Sequence, residues 1–135
     1  MPHRKIIERL HADATLTALV PATRIRPIKA SQSDALPLIV YERDALSNED
    51  GISDLSNTWI LEMTIRIYAE TYDDAIAVAE AVRDCLHGWR EGSSADQVMS
   101  CRLVSESDSP ESVEPGSDAI MHGITQSYRI EYRAA

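Results

Sequence analysis

Glycine is scarce in this chain, five in 135 residues. None falls in a G-x-G-x-x-G or G-x-x-x-x-G-K-[ST] pattern, so neither the dinucleotide turn nor the phosphate-cradling loop is present. Cysteine is scarcer still. Cys85 and Cys101 form no C-x-x-C and stand in no close Cys-His pair, which leaves no ready zinc ligand set. Both fall on apolar faces of predicted elements and read as buried, reduced thiols. No apolar run reaches eighteen residues, so no membrane helix is expected. The opening stretch MPHRKIIERL is charged and lacks the apolar centre of a secretory signal. Basic residues are outnumbered, 13 to 22, for a net charge of −9. A general duplex-DNA binder needs the opposite balance.

Catalytic patterns are missing as well. The histidines at 3, 11, 87 and 122 are never four apart. His87, followed by Gly88 and Trp89, reads as a polar ring at a helix C-terminus, where its protonated form suits the dipole. No serine sits in G-x-S-x-G. The acids Asp50 and Asp54, and Asp108, Glu111 and Glu114, have the chemistry for a hard cation, but the calcium-loop spacing is absent. They lie in polar stretches where nothing would raise a carboxyl pKa for acid-base work. Trp59 and Trp89 read as core and edge packing. The expectation is a protein with no cofactor, no metal and no enzymatic activity.

What the chain does have is one strand and one helix back to back in residues 57–88. Trp59, Leu61, Met63, Ile65 and Ile67 alternate with Glu62, Thr64 and Arg66, a half-buried strand. Thr71 and Asp74 then resemble a capping box. Ala75, Val78, Ala79, Val82, Cys85 and Leu86 form one helical stripe, and Gly88 stands at the left-handed C-cap position.

Around this unit the remaining elements are shorter. Ile6, Ile7 and Leu10 mark an amphipathic helix over 3–12. Asp13 caps a second turn that stops before Pro21. TRIRP (23–27) is extended, and LPLIVYER reads as a well-covered strand with Pro37 at its edge. Residues 89–96 read as a polar turn. Met99, Cys101 and Leu103 mark a strand over 98–106; Ile120, Ile124, Tyr128, Ile130 and Tyr132 mark one face of the last. Two acidic segments, 44–56 and 106–118, read as long, mobile, solvated loops.

The sum is one domain over 1–135 of α+β class. It should hold a mostly antiparallel sheet of about four to five strands, with one long and one short helix packed on one face. Charge is spread unevenly: net +3 over residues 1–43 and net −12 over 44–135. That is either a mixed soluble surface or two ends complementary between copies, which favours head-to-tail association.

In this order, LHADATLTALV, TRIRP, LPLIVYER, IRIYA, TYDDAIAVAEAVRDCLHG and SYRIEYR resemble the tail completion or tail terminator family of long-tailed, siphovirus-type phages and prophages. The resemblance covers most of the chain and rests on packing signatures in sequence. It implies a virion structural protein of the tail and neck, assembled in the host cytoplasm. Its expected partners are its own copies in a hexameric ring, the tail tube protein, and the head-tail connector or stopper protein. DNA would pass through the lumen without specific binding, eased by an acidic lining. The alternatives are a head-completion or other neck protein, and a small ligand-binding α+β module. The segments picked out as the subunit interface are Arg24, Arg26 and Lys29 against Asp50 and Asp54 of a neighbour.

Overall fold

The computed structural model describes residues 2–27, 36–48, 58–93, 95–112 and 120–134. Its centre is the predicted strand-helix pair. Strand β3 (Thr58–Ala69) turns Leu61, Met63, Ile65 and Ile67 into the core, because alternate side chains of a strand share a face. Helix α3 (Tyr72–Leu86) lies over them. Thr71 Oγ1 accepts from the Asp74 N–H at 3.1 Å, and Gly88 closes the helix at φ +83°, where a Cβ would be strained. The stripe residues Ala75, Val78, Ala79, Val82, Cys85 and Leu86 are all buried, as their spacing requires. Helices α1 (Pro2–Ala12) and α2 (Ala14–Leu19) add Ile6, Leu10 and Leu16 to the same core. Asp13 caps α2 by accepting from the Leu16 N–H at 2.9 Å.

The sheet has six strands in the order β1-β2-β3-β6-β5-β4. Strands β2 (Leu38–Asn48), β5 (Ala95–Ser112) and β6 (Ile120–Arg133) join β3 in antiparallel pairs. Two three-residue strands stand at the edges: β1 (Ile25–Pro27), parallel to β2, and β4 (Glu91–Ser93), antiparallel to β5. A turn of 3-10 helix (Ala22–Arg24) leads into β1. The α+β expectation holds, with these two short edge strands beyond the four long ones. The polar turn expected over 89–96 instead contains β4 and the start of β5, and Trp89 is buried. Leu38, Ile39 and Val40 are all buried, since β1 and β3 flank β2 and both of its faces are covered there. A small second cluster of Leu38, Val40 and Tyr68 seals that end of the far face.

The acidic segments need correction. Residues 44–48 continue β2, and past a bulge at Asp44 residues 45–48 pair with 59–62 of β3. Residues 106–112 continue β5 and pair with 120–126 of β6. Neither stretch has an apolar alternation to reveal a strand; the backbone ladder to a partner strand holds it. The rest of both segments, 49–56 and 113–118, lies outside the described residues. As a result the sheet outruns its helical cover at both ends. The outer half of β2, Arg43–Asn48, is exposed toward the end where β6 finishes. The β5–β6 hairpin extends past Ala69, in the opposite direction.

Candidate assembly surfaces

The helices cover one face of the sheet, and the other face is charged. Across its middle, Glu62 of β3 stands opposite Arg129 of β6, which stands opposite Arg102 of β5. Next to them the Arg66 guanidinium pairs with the Glu42 carboxylate, which holds Arg66 firmly protonated. Thr64 Oγ1 donates to the Asp44 carboxylate. Neither Arg102 nor Arg129 has a hydrogen bond or ion pair among the described residues. A trough of about 230 Å³ runs over Asp44, Glu62, Ser127, Arg129 and Arg102. Register shifts at Arg43/Ala45 in β2 and Leu103/Ser105 in β5 fall at about the same level, and such bulges bend a sheet locally.

The β5–β6 extension is fastened to α3 by a buried network. Gln126, with no exposed surface, donates through Nε2 to the Ala79 carbonyl at 3.0 Å and to Glu106 Oε1 at 2.8 Å. Its Oε1 accepts from the Tyr128 hydroxyl at 2.9 Å. Arg83 meets Glu106 at 3.3 Å, and the Tyr72 hydroxyl donates to Asp108 at 2.7 Å. Gln126 lies on the face inferred for Ile124 and Tyr128, so the alternation already placed it in the core. Looking for apolar residues alone passed it over.

On the helical side, Lys5 pairs with Glu91 at 3.3 Å. Arg9 stacks over Trp89 at 5.1 Å and donates through Nε to the Cys85 carbonyl at 3.0 Å. The groove these residues line, about 470 Å³ with Glu8, Asp13 and Thr15, holds charges of both signs. Burial pushes the Cys85 thiol up to about 11 and the Cys101 thiol up to about 12, so neither is a ready nucleophile. His3 is pushed below its ordinary value by burial and by nearby Arg43. His87 stands at the C-cap of α3 as expected, and its Nδ1 accepts the Leu103 N–H at 3.1 Å, so the ring also ties the helix end to β5. Among the described residues no three His, Cys, Asp or Glu converge on a metal position.

Of the inferred interface residues, the structure brings Arg24 and Arg26 together on the β1 side. Arg24 donates through Nη1 to the Leu36 carbonyl at 3.3 Å, and Arg26 sits half-buried opposite Val40. Lys29, Asp50 and Asp54 lie outside the described residues. Arg102, Arg129, Glu62 and Asp44 were missed because each is an ordinary charged residue in sequence; only strand register puts them on one surface.

A sheet sealed on one face by helices, charged on the other, with an exposed outer half of β2 and a β5–β6 hairpin at opposite ends, has the build of an assembly subunit. The chain matches the tail completion protein gp17 family over residues 4–129 and belongs to it. It is thus a structural protein of a phage-type tail, carried in the virion. A chain in the solved structure "Virion of native gene transfer agent (GTA) particle" shares the fold. It superposes with a TM-score of 0.69 at 21% identity, over 96% of this chain and 92% of that one. No curated protein matches the chain. Among the described residues no helix is long and apolar enough to cross a membrane.

Proposed function

We propose that copies of this chain close into a ring, six in number, on the head-proximal end of the tail tube. The ring ends tube polymerisation, offers its other surface to the head connector or stopper protein, and lets DNA pass through its lumen. The family match over residues 4–129 carries this reading. The fold supports it: the exposed outer half of β2 and the β5–β6 hairpin lie at opposite ends of the sheet, as a subunit that touches neighbours and two different structures requires. The role is structural and no step of it needs a catalytic group. The net charge of −9 suits a channel that repels a polyanion. Within the ring, the basic piece with Arg24, Arg26 and Lys29 meets the acidic segment with Asp50 and Asp54 of a neighbour. Exposed pairs contribute only about 0–1 kcal/mol each, so they set register while apolar burial supplies affinity.

Loss of the protein tests the assignment. A terminator's absence leaves unjoined heads and over-long tails. Unjoined heads with tails of normal length would instead place the protein on the head side of the joint.

A further inference from the structure

Both sides of the sheet leave backbone uncovered, on opposite edges and at opposite ends. Strand β1 pairs with β2 only at Ile39, Val40 and Tyr41, so among the described residues no strand lies beside the outer edge of residues 42–48. Strand β4 pairs with β5 only at Ala95 and Val98. The turn after α3 covers a little more, through Gly88 N–H to the Cys101 carbonyl at 2.8 Å and Leu103 N–H to His87. Beyond Val104 no described strand covers the outer edge of β5. Exposed apolar side chains are few, yet one stands on each open edge: Leu46 at 41% and Val104 at 58% exposure. An open strand edge is a template for another strand.

The charges select which edges meet. The open stretch of β5 carries Glu106, Asp108 and Glu111 and no base, so pairing with its own copy would set acid against acid. The β2 side carries Arg43 on the strand and Arg24 and Arg26 on the segment above it, and its own acids are engaged across the sheet, Glu42 with Arg66 and Asp44 with Thr64. A notch of about 140 Å³ opens there among His3, Pro27, Tyr41 and Met63, lined also by Glu42 and Arg43. Strand directions agree as well. β2 and β5 run antiparallel within one subunit, so joining one copy's β5 to the next copy's β2 continues an antiparallel ladder.

Resting on the ring reading, we propose that residues 105–109 of β5 in one copy add as a strand to residues 42–48 of β2 in the next. The ladder is short, because Pro110 has no N–H to give it. In register, the middle of the β2 stretch stands level with Glu62 and the middle of the β5 stretch level with Arg66. That is an offset of roughly four residues, or about 14 Å. Set against about four strand spacings, roughly 19 Å, it tilts the strands about 35° from the ring axis. Closed sheets adopt tilts of about 35–45°, so the stagger is one a ring can absorb.

Ser47 of β2 and Ser105 and Ser107 of β5 all belong to the uncovered face of the sheet, and serine to cysteine there is a near-isosteric change. The test is mild oxidation of Ser47→Cys combined with Ser105→Cys or with Ser107→Cys, read on non-reducing gels, with oligomer size followed by native mass measurement. Wild type and each single variant are run in parallel. The contact predicts a ladder reaching the full ring number for at least one double variant, and monomer bands for every single variant. Dimers from Ser47→Cys alone would mean β2 pairs with β2 and would overturn it. So would intact rings without a ladder in either double variant. If wild type forms no ring alone or on isolated tail tubes, the ring reading itself falls and the contact with it.

Discussion

Arg102 of β5 and Arg129 of β6 stand directly opposite one another on the face of the sheet that no helix covers. Like charges set across a strand pair cost the free subunit stability, and Glu62 faces only Arg129. Replacing Arg102 with Thr should therefore stabilise the isolated chain by up to about 0.5 kcal/mol. The gain should shrink as salt screens the pair. Thermal unfolding in low and high salt checks this; a loss of stability at low salt would contradict it.

Gln126 links the core to the β5–β6 extension through Ala79, Glu106 and Tyr128. Gln126→Ala leaves the buried Tyr128 hydroxyl without its acceptor and removes the links to Ala79 and Glu106, and should cost about 1–3 kcal/mol. Amide exchange in residues 105–109 should accelerate more than in α1. Uniform acceleration would mean the network does not anchor the extension.

The two buried thiols give the fold a basic limit. Unfolded, they lose protons near the ordinary 9.0; folded, they hold them to about 11 and about 12. Burial also pushes the Tyr128 hydroxyl up. As pH rises past about 9 the unfolded chain therefore binds fewer protons than the folded one, and stability falls until the folded pKa values are passed. The contribution is fully present below pH 9. The slope is at most about 1.4 kcal/mol per pH unit for each thiol. Denaturant unfolding from pH 7 to 10.5 should show the midpoint constant at first and then dropping. Thiol reagents at pH 8 should label Cys85 and Cys101 only on unfolding, and rapid native labelling would refute the burial argument.

Arg24 and Arg26 lie beside the open β2 edge. Arg24→Glu combined with Arg26→Glu should weaken ring assembly at low salt by about tenfold, the scale of one or two lost surface pairs turned repulsive, with a smaller effect at high salt. Light scattering against concentration measures it. Equal assembly at both salts would remove this piece from the interface.

The strand-helix unit was legible because two periodicities meet there without interruption: alternation from Trp59 to Ile67, then the α3 stripe closed by Thr71 and Gly88. The ends of β2 and β5 were not. Asp44 to Asn48 and Glu106 to Ser112 carry acids and serines where alternation should show apolar residues, so their strand character comes from the partner strand alone. The pairing of Glu62 with Arg129, and of Arg129 with Arg102, was hidden for a related reason. It depends on register between strands more than sixty residues apart in the first case, which no local pattern encodes. Arg24 and Arg26 could be picked out as a basic extended piece, but their place on a sheet edge needed β1 to be seen pairing with β2.

Electron cryomicroscopy of joined particles tests the central claim most directly. The account predicts density for this fold as a closed ring between the head-proximal end of the tail tube and the connector. Neighbouring sheets in that ring should meet edge to edge. Copies found at the distal tip of the tail, or scattered as single subunits along its wall, would contradict it.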